Sequence, residues 1–447
     1  MGPGYCFGRM LASLPLMLAL SVAQTPTGDR PAPAPVVLRV ATFNLEDVRS
    51  SDLADGTNPR LRKLAEVIQR LRPNVILLNE IAFDPETPKP ATPQGATPAD
   101  AGKPAGSNGQ RFADLYLAVA QASDVAPIRM NAFMAPVNTG LFSGYDLDND
   151  GVVTSTYPTP RPSLPDGSPA PLPPAEQAAG RAYGGDCWGF GTFPGQYGMA
   201  LLVDHRLSID LADVRTFQMF PWSFLDGAMT PKNADGTEFY SAEEFEGFRL
   251  SSKSHWDVPV ILPNGAKVHF LCSHPTPPAF DGPEQRNKVR NHDEIRFWRD
   301  YIENSPALVD DRGVAGGLAT RADGRVEIEP MPFVVLGDLN ADPEKGNSVR
   351  NPIKTYLLGN RHVNAELVPV SPVEIPGLTP SDTARFKLRV DYVLPSKLIR
   401  VREAGVWRHK PSGAAEFPSD HFPVWMEIEV PAPRPRVEEG DAPETRR

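Results

Sequence analysis

Residues 36–430 alternate short apolar runs with segments whose apolar positions recur at helical spacing. Residues 36–43 (VVLRVATF) read as a buried strand. Asn58 and Pro59 then give a cap and first-turn signal to a helix whose Leu61, Leu64, Ala65, Ile68 and Leu71 share one face before Pro73 stops it. Residues 75–78 read as the next strand, and a second amphipathic helix is expected around residues 112–119. Strands are expected again at 199–203, 258–262, 267–272, 333–336, 388–394 and 424–430, with a helix over 284–302. This mixed order predicts an α/β fold of two sheets packed together and flanked by helices. Low-complexity stretches near 84–110, 157–179 and 304–330, dominated by Pro, Ala and Gly, read as surface insertions within one domain. No internal repeat is visible.

The chain ends read differently. Arg9 precedes the apolar stretch 10–22, and Ser21-Val22-Ala23 offers a small-x-small cleavage site, so residues 1–23 are expected to be a signal peptide. The stretch is shorter than the ~20 residues of an ordinary membrane span, which makes a retained anchor the weaker alternative. Cys6 lies before the apolar core, where a lipoprotein acceptor would not be. The expected location is therefore secreted or periplasmic, without stable membrane insertion. Residues 24–35 form a Pro-rich spacer and 431–447 a tail of Pro and charges; both are expected to be disordered. Cys187 and Cys272 remain after cleavage, either paired or as two free thiols. Lys and Arg total 45 against 55 Asp and Glu, a formal charge of −10, which argues against tight non-specific binding of a polyanion through overall charge. A local basic groove stays open, and a monomer is expected.

The candidate chemistry sits just past the β-like runs. Asn44, Glu80, His274, Asp338 with Asn340, and Asp391 each follow one, and Asp420 with His421 closes the series. Carboxylates and amides at the ends of strands can converge at one edge of a folded sheet and hold a hard divalent cation, which suits phosphate chemistry. Singly each has a bland reading: Asp391 and Asp420 as turn caps, Asn44 as a strand-end residue, His274 packed against Pro275. Jointly, the segments TFNLE, LLNE, CSHP, GDLNADP, RVDYVLP and PSDHFPV resemble, in order, those of the endonuclease/exonuclease/phosphatase superfamily of metal-dependent phosphoesterases. The resemblance covers about residues 36 to 430 and implies a four-layer α/β-sandwich with the site at the top of the paired sheets.

On that resemblance Glu80 and Asp420 are expected to bind Mg²⁺ or Mn²⁺, with Asn44 orienting the metal shell. Asp338 and His421 share the role of general base, Asp391 fixes the His421 tautomer, and Asn340 and His274 donate to the phosphate or, for His274, to the leaving group. A separate run, Asp146-Leu-Asp148-Asn-Asp150-Gly151, matches the first half of a calcium loop but has Tyr157 where the closing Glu belongs. Its readings are a structural Ca²⁺ site with Asp186 as remote ligand, or an acidic surface turn. Arg249, Lys253 and His255 either supply cations to a substrate phosphate or form a solvated basic turn. The loop 189–198 resembles one that shapes the cleft in a secreted bacterial branch, with core packing the plainer role for its aromatics. His292 reads as structural, and His205 and His269 carry no signal.

The substrate is a phosphoester, with nucleic acid as one candidate. An exported endonuclease leads. A phosphatase or phosphodiesterase acting on small phosphorylated compounds or phospholipid head groups is the alternative, and a catalytically silent binding module is the remote one. Ala341 after GDLN is unlike the aromatic usual in inositol-phosphate phosphatases. The lack of a Lys/Arg run or basic helix weighs against a nuclease.

Overall fold

Strand β1 (Val36–Val48) enters the molecule as an almost wholly buried run, which suits a strand covered on both faces. The computed structural model describes residues 33–85 and 106–433 together with Met1, so the expected signal peptide beyond Met1, most of the spacer, residues 86–105 and the tail from 434 lie outside the described residues. Helix α1 (Pro59–Leu71) starts where Asn58 accepts hydrogen bonds from the Arg60 and Leu61 amides at 3.0 and 3.1 Å. It ends at Arg72, a left-handed residue whose amide bonds back to Ile68. Its Leu61, Leu64, Ala65, Ile68 and Leu71 are all buried, as their spacing requires.

The elements that follow are β2 (Val75–Ile81), α2 (Asn108–Phe112), β3 (Met130–Phe133), α3 (Pro174–Gly185), β4 (Met199–Asp204), β5 (Ser208–Ile209) and β6 (Arg215–Thr216). Then come α4 (Ala242–Gly247), β7 (His255–Ile261), β8 (Lys267–Ser273), α5 (Arg286–Ile302), β9 (Phe333–Asp338), β10 (Asp391–Pro395), β11 (Arg400–Val406) and β12 (Val424–Val430). The first sheet runs β11-β12-β1-β2-β4-β3, and the second runs β10-β9-β8-β7-β5 with β6 also on β7. Each sheet is mixed: β1 and β2 are parallel in one, β8 and β9 in the other, and the remaining pairs are antiparallel. This is the expected α/β-sandwich.

Period-two alternation sorts the second sheet between two cores. Phe270, Cys272, Val334 and Leu336 face the first sheet, while Leu271, Phe333 and Val335 turn outward to meet Ile295, Trp298 and Tyr301 of α5. Burying each such side chain contributes about 1.5–3 kcal/mol, so both faces hold their layers firmly.

Three regions depart from expectation. The helix expected around 112–119 is α2 followed by a π-turn over Ala113–Leu117. The stretch 157–179 runs into α3, whose Ala- and Gly-rich sequence hides a helical turn. The stretch 304–330 is stitched inward by Arg215, which meets Asp310 at 2.9 Å and the carbonyls of Val314, Gly316, Gly317 and Thr320 at 2.8–3.0 Å. Cys187 and Cys272 are buried free thiols, so of the two readings the unpaired one holds. Among the described residues no helix is long and apolar enough to cross a membrane.

Candidate active site

The register of the two sheets brings the polar residues together. Asn44 lies opposite Asn79 in the β1/β2 pair, which puts Glu80 one residue further along, and Asp338 lies opposite Asp391 in β9/β10. Parallel strands β1, β2, β8 and β9 end on one edge, and antiparallel β10 and β12 begin there. Asn79, fully buried, ties the sheets by accepting from Thr42 Oγ1 and from the Asp338 amide. Within the second sheet, Gly337, with φ +146, lies so close to the end of β8 that a Cβ would meet the Ser273 carbonyl at 2.0 Å.

Asp338 stands at the centre. Its Oδ2 is 3.0 Å from Asn44 Nδ2, 3.5 Å from His274 Nε2 and 3.6 Å from His421 Nε2, while Oδ1 accepts from the Asn340 amide. His421 Nδ1 meets Asp391 Oδ2 at 2.9 Å. Asn44 Nδ2 also reaches Glu80 Oε1 at 3.0 Å, and Glu80 Oε2 accepts from the Asp47 amide. Asn340 donates one amide hydrogen to the Pro275 carbonyl, which fixes the plane of its side chain. Asp420 is the outermost, its side chain 44% exposed and 4.0 Å from His421 Nε2. Glu46, Asp47, Glu80 and Asn340 all adopt positive φ, and such departures for non-glycine residues gather at functional sites.

Charge is distributed unevenly across this cluster. Burial opposes the His421 charge, yet the carboxylates of Asp391, Asp338 and Asp420 hold its proton well above the ordinary histidine range. Burial likewise pushes Asp338 up, but facing His421 and the hydrogen bonds from His274 and Asn44 overcome it and leave the carboxyl well below its usual value. Asp391 is raised to about 6, chiefly by burial. His274 is lowered to about 4 by burial and by the positive charge of Lys253. It is therefore neutral near pH 7, and its 3.5 Å approach to Asp338 is a weak polar contact and no ion pair. Glu80 is raised to about 7 by burial, with Asp420 and Asp47 adding like charge.

A sequence profile described as the Endonuclease/Exonuclease/phosphatase family matches residues 41–421, from just before Asn44 to His421 itself. The chain belongs to that family. No curated protein matches it. Among solved structures it is similar to an endonuclease/exonuclease/phosphatase from Beutenbergia cavernae DSM 12333, at 18% identity over 89% of this chain and 73% of that one, with TM-score 0.44. It is also similar to a family protein from Bacteroides thetaiotaomicron (12%, 89% and 98%, TM-score 0.41) and to the human Nocturnin catalytic domain with bound sulfate (12%, 88% and 93%, TM-score 0.37).

Endonuclease/exonuclease/phosphatase proteins are typically phosphoester hydrolases and usually use a divalent metal. The donor set here fits one. Glu46 and Glu80 are both raised by burial first, and the charge of Asp420 raises each further, so these carboxylates act on one another with their repulsion only partly relieved. Such a group of oxygen donors is what a hard cation neutralises. Around this site, among the described residues, it is Asp338, Asp391 and His421 that bring one ligand atom each within 4.8 Å of one another, and His421 Nδ1 is already committed to Asp391.

Helix α5 supports the site from behind. Glu294 accepts from the Ser252 and Thr276 amides at 2.6 Å each, and Asn291 donates to the carbonyls of Thr276 and Leu339, fixing the loops that follow His274 and Asp338. Of the three residues in the basic turn, Lys253 is buried at 6% exposure, which pulls its ammonium below the usual lysine range against the opposing charges of Glu294, Glu80 and Asp338. Arg249 is spent on Asn138 at 2.8 Å and on the Trp188 ring, and His255 is bonded within the core to Ser251 and to the Glu294 carbonyl. His292 is structural, bonded to Asp293 and Tyr356. His269 pairs with buried Asp257 at 2.8 Å, and His205 stays at the surface.

The calcium-like run gathers differently from expectation. Asp146, Asp148 and Asp186 bring oxygens within 4.8 Å of one another, whereas Asp150 turns its carboxylate to the Val152 amide at 2.8 Å. Asp186 already accepts from the Leu147 and Thr154 amides, so it first serves to tether this loop to the end of α3. A residue that sequence reasoning passed over is Glu46, raised by burial and by the charge of Asp420. It lies inside TFNLE, two residues after Asn44, which is a readable signal.

Proposed function

We propose that this protein is an exported, divalent-metal-dependent phosphoesterase that hydrolyses phosphodiester bonds, with an endonuclease as the leading form. One observation carries the reading: Asp338 is surrounded by Asn44, His274 and His421 within 3.0–3.6 Å, with His421 held from behind by Asp391. The ion would be held by Glu80, Glu46 and Asp420 with Asn44 beside them; bound there, it would supply Lewis-acid stabilisation of charge on the phosphoryl and leaving oxygens. Asp338, kept ionised, positions the attacking water and accepts its proton. His421, kept protonated by its acidic neighbours, offers positive charge to the pentacovalent transition state. Asp391 fixes the ring by accepting from Nδ1. His274, neutral near pH 7, serves as a hydrogen-bond donor to a non-bridging oxygen, a narrower role than protonating the leaving group. Asn340 donates its second amide hydrogen, and Lys253 adds a buried positive charge beside the same oxygens.

The second reading, a phosphatase or phosphodiesterase for small phosphorylated compounds, draws on the net charge of −10, which repels a polyanion from most of the surface. Plasmid nicking and phosphate release from small mono- and diesters, assayed side by side with Mg²⁺, separate the two. Nicking that disappears in His421→Ala supports the endonuclease; small-ester turnover without nicking supports the phosphatase; neither activity in folded protein overturns both.

A further inference from the structure

We propose that Arg60 is a positioning residue for the metal corner: its guanidinium holds the chain segments of Glu46 and Asp420 against each other, so that the two carboxylates are presented together. The proposal rests on the phosphoesterase reading above and deepens it by naming what builds the seat of the ion. Arg60 stands in the first turn of α1, yet only 7% of it is exposed, because its side chain turns inward to the end of β1. Its donors are spent on main-chain carbonyls. Nη1 donates to Leu45 at 2.6 Å and to Pro418 at 3.4 Å, Nη2 donates to Glu46 at 2.9 Å, and Nε donates to Gly167 at 3.2 Å.

The Leu45 and Glu46 carbonyls belong to the two peptide units on either side of the Glu46 Cα, so gripping both fixes its φ and ψ. That grip matters because Glu46 and Asp47 are left-handed, at φ +58 and +54, a conformation that non-glycine residues keep only where their surroundings impose it. Pro418 lies two residues before Asp420, whose amide donates to Glu46 Oε2 at 3.1 Å, while Ser419 Oγ donates to the Asn44 carbonyl at 2.8 Å. Arg60 therefore ties together, by their carbonyls, two segments whose carboxylates act on each other. Charge favours the same arrangement. Burial opposes the charge of the guanidinium, and Glu46, Asp52, Asp47 and Glu80 support it, Glu46 the most. Carboxylates held close repel one another, so a fixed cation beside them lowers the cost of keeping them together. Lysine could not replace it, since one nitrogen carries the same charge without the planar fork that reaches several carbonyls at set angles. The Gly167 carbonyl orients that fork, and only glycine suits its place: at φ +85 a Cβ would meet Asn58 Oδ1 at 2.2 Å. A stretch that reads in sequence as a surface insertion thus helps to aim a residue of the site.

The test is calorimetric titration of Mg²⁺ into the full chain and its Arg60→Lys, Arg60→Gln and Arg215→Lys variants, with turnover of bis(p-nitrophenyl) phosphate followed across Mg²⁺ concentration. Arg215, also buried but facing residues 310–320, controls for the loss of a buried arginine as such. Both Arg60 variants are expected to bind Mg²⁺ about 10–100-fold more weakly with unchanged circular dichroism, and Arg215→Lys to bind it as the unmodified protein does. Turnover lost in Arg60→Lys should return as Mg²⁺ is raised, with KM little changed, because weakened ion binding yields to mass action. Unchanged Mg²⁺ affinity in either Arg60 variant, or an equal loss in Arg215→Lys, would overturn the proposal. A turnover deficit that persists at saturating Mg²⁺, or failure of both Arg60 variants to fold, would overturn it too. An unmodified protein that binds no Mg²⁺ would remove the metal reading itself and this proposal with it, a failure visible before any variant is compared.

Discussion

His421 shows how one residue's chemistry follows from its neighbours. A buried imidazole should shed its proton, yet three carboxylates reverse that, and Asp391 takes Nδ1 so that only Nε2 can face a substrate. Replacing Asp391 by Asn should leave the ring in place but with the wrong tautomer free; turnover of a generic phosphodiester should fall by about 10²–10⁴ with KM little changed. At Glu80, Glu→Gln removes a charge from the metal corner, and calorimetric Mg²⁺ affinity should drop at least tenfold, the order of loss seen for disturbed metal shells. At this scale the sequence was most legible for Asn44, Glu80, Asp338, Asp391 and His421, because each is placed by the end of a strand. It was least legible for Lys253. Its significance lies in what the fold sets beside it, and a Lys in a basic turn carries no local pattern.

At the scale of elements, the strands that flank the site were readable from their apolar runs, and α1 from its cap and stripe. β11, with three glutamate or arginine residues in seven, was not, since it is an edge strand that pairs only with β12. Helix α5 was legible in extent but not in purpose: its buried face carries Arg290, Asn291, His292, Asp293 and Glu294, because it grips loops as well as core. His255, at the start of β7, belongs to the same grip. Burial lowers its imidazole from 6.5 to about 3, so as pH falls below the ordinary value the unfolded chain takes up a proton that the folded chain refuses. The stability contributed by the neutral ring is thus complete above pH ~6.5 and is lost progressively toward pH ~3. Urea midpoints should therefore fall less between about pH 7 and about pH 5 in His255→Gln than in the unmodified protein, even though the variant starts less stable. An equal pH slope in both would assign the acid sensitivity elsewhere.

For the whole molecule, two sheets packed face to face turn residues nearly three hundred positions apart into neighbours, as with Asn44 and Asp338. The order of motifs carried that much, since four of them close strands and those of Asp391 and His421 open β10 and precede β12. Composition could not reveal that residues 304–330 are anchored by Arg215, whose side chain and that of Asp310 are each only 1% exposed. Arg215→Met would leave Asp310 charged and unpaired in the interior, and should cost about 3–5 kcal/mol in urea unfolding. Since this anchor lies behind the second sheet, turnover of the remaining folded protein should persist. The central claim is that one strand-end cluster performs metal-dependent phosphoester hydrolysis, and hydrolysis of bis(p-nitrophenyl) phosphate by the purified protein and its His421→Ala variant, with Mg²⁺ and again with EDTA, tests it most directly. The account predicts turnover that needs the metal and falls by about 10²–10⁴ in the variant. Turnover that ignores both EDTA and the loss of His421 would contradict it.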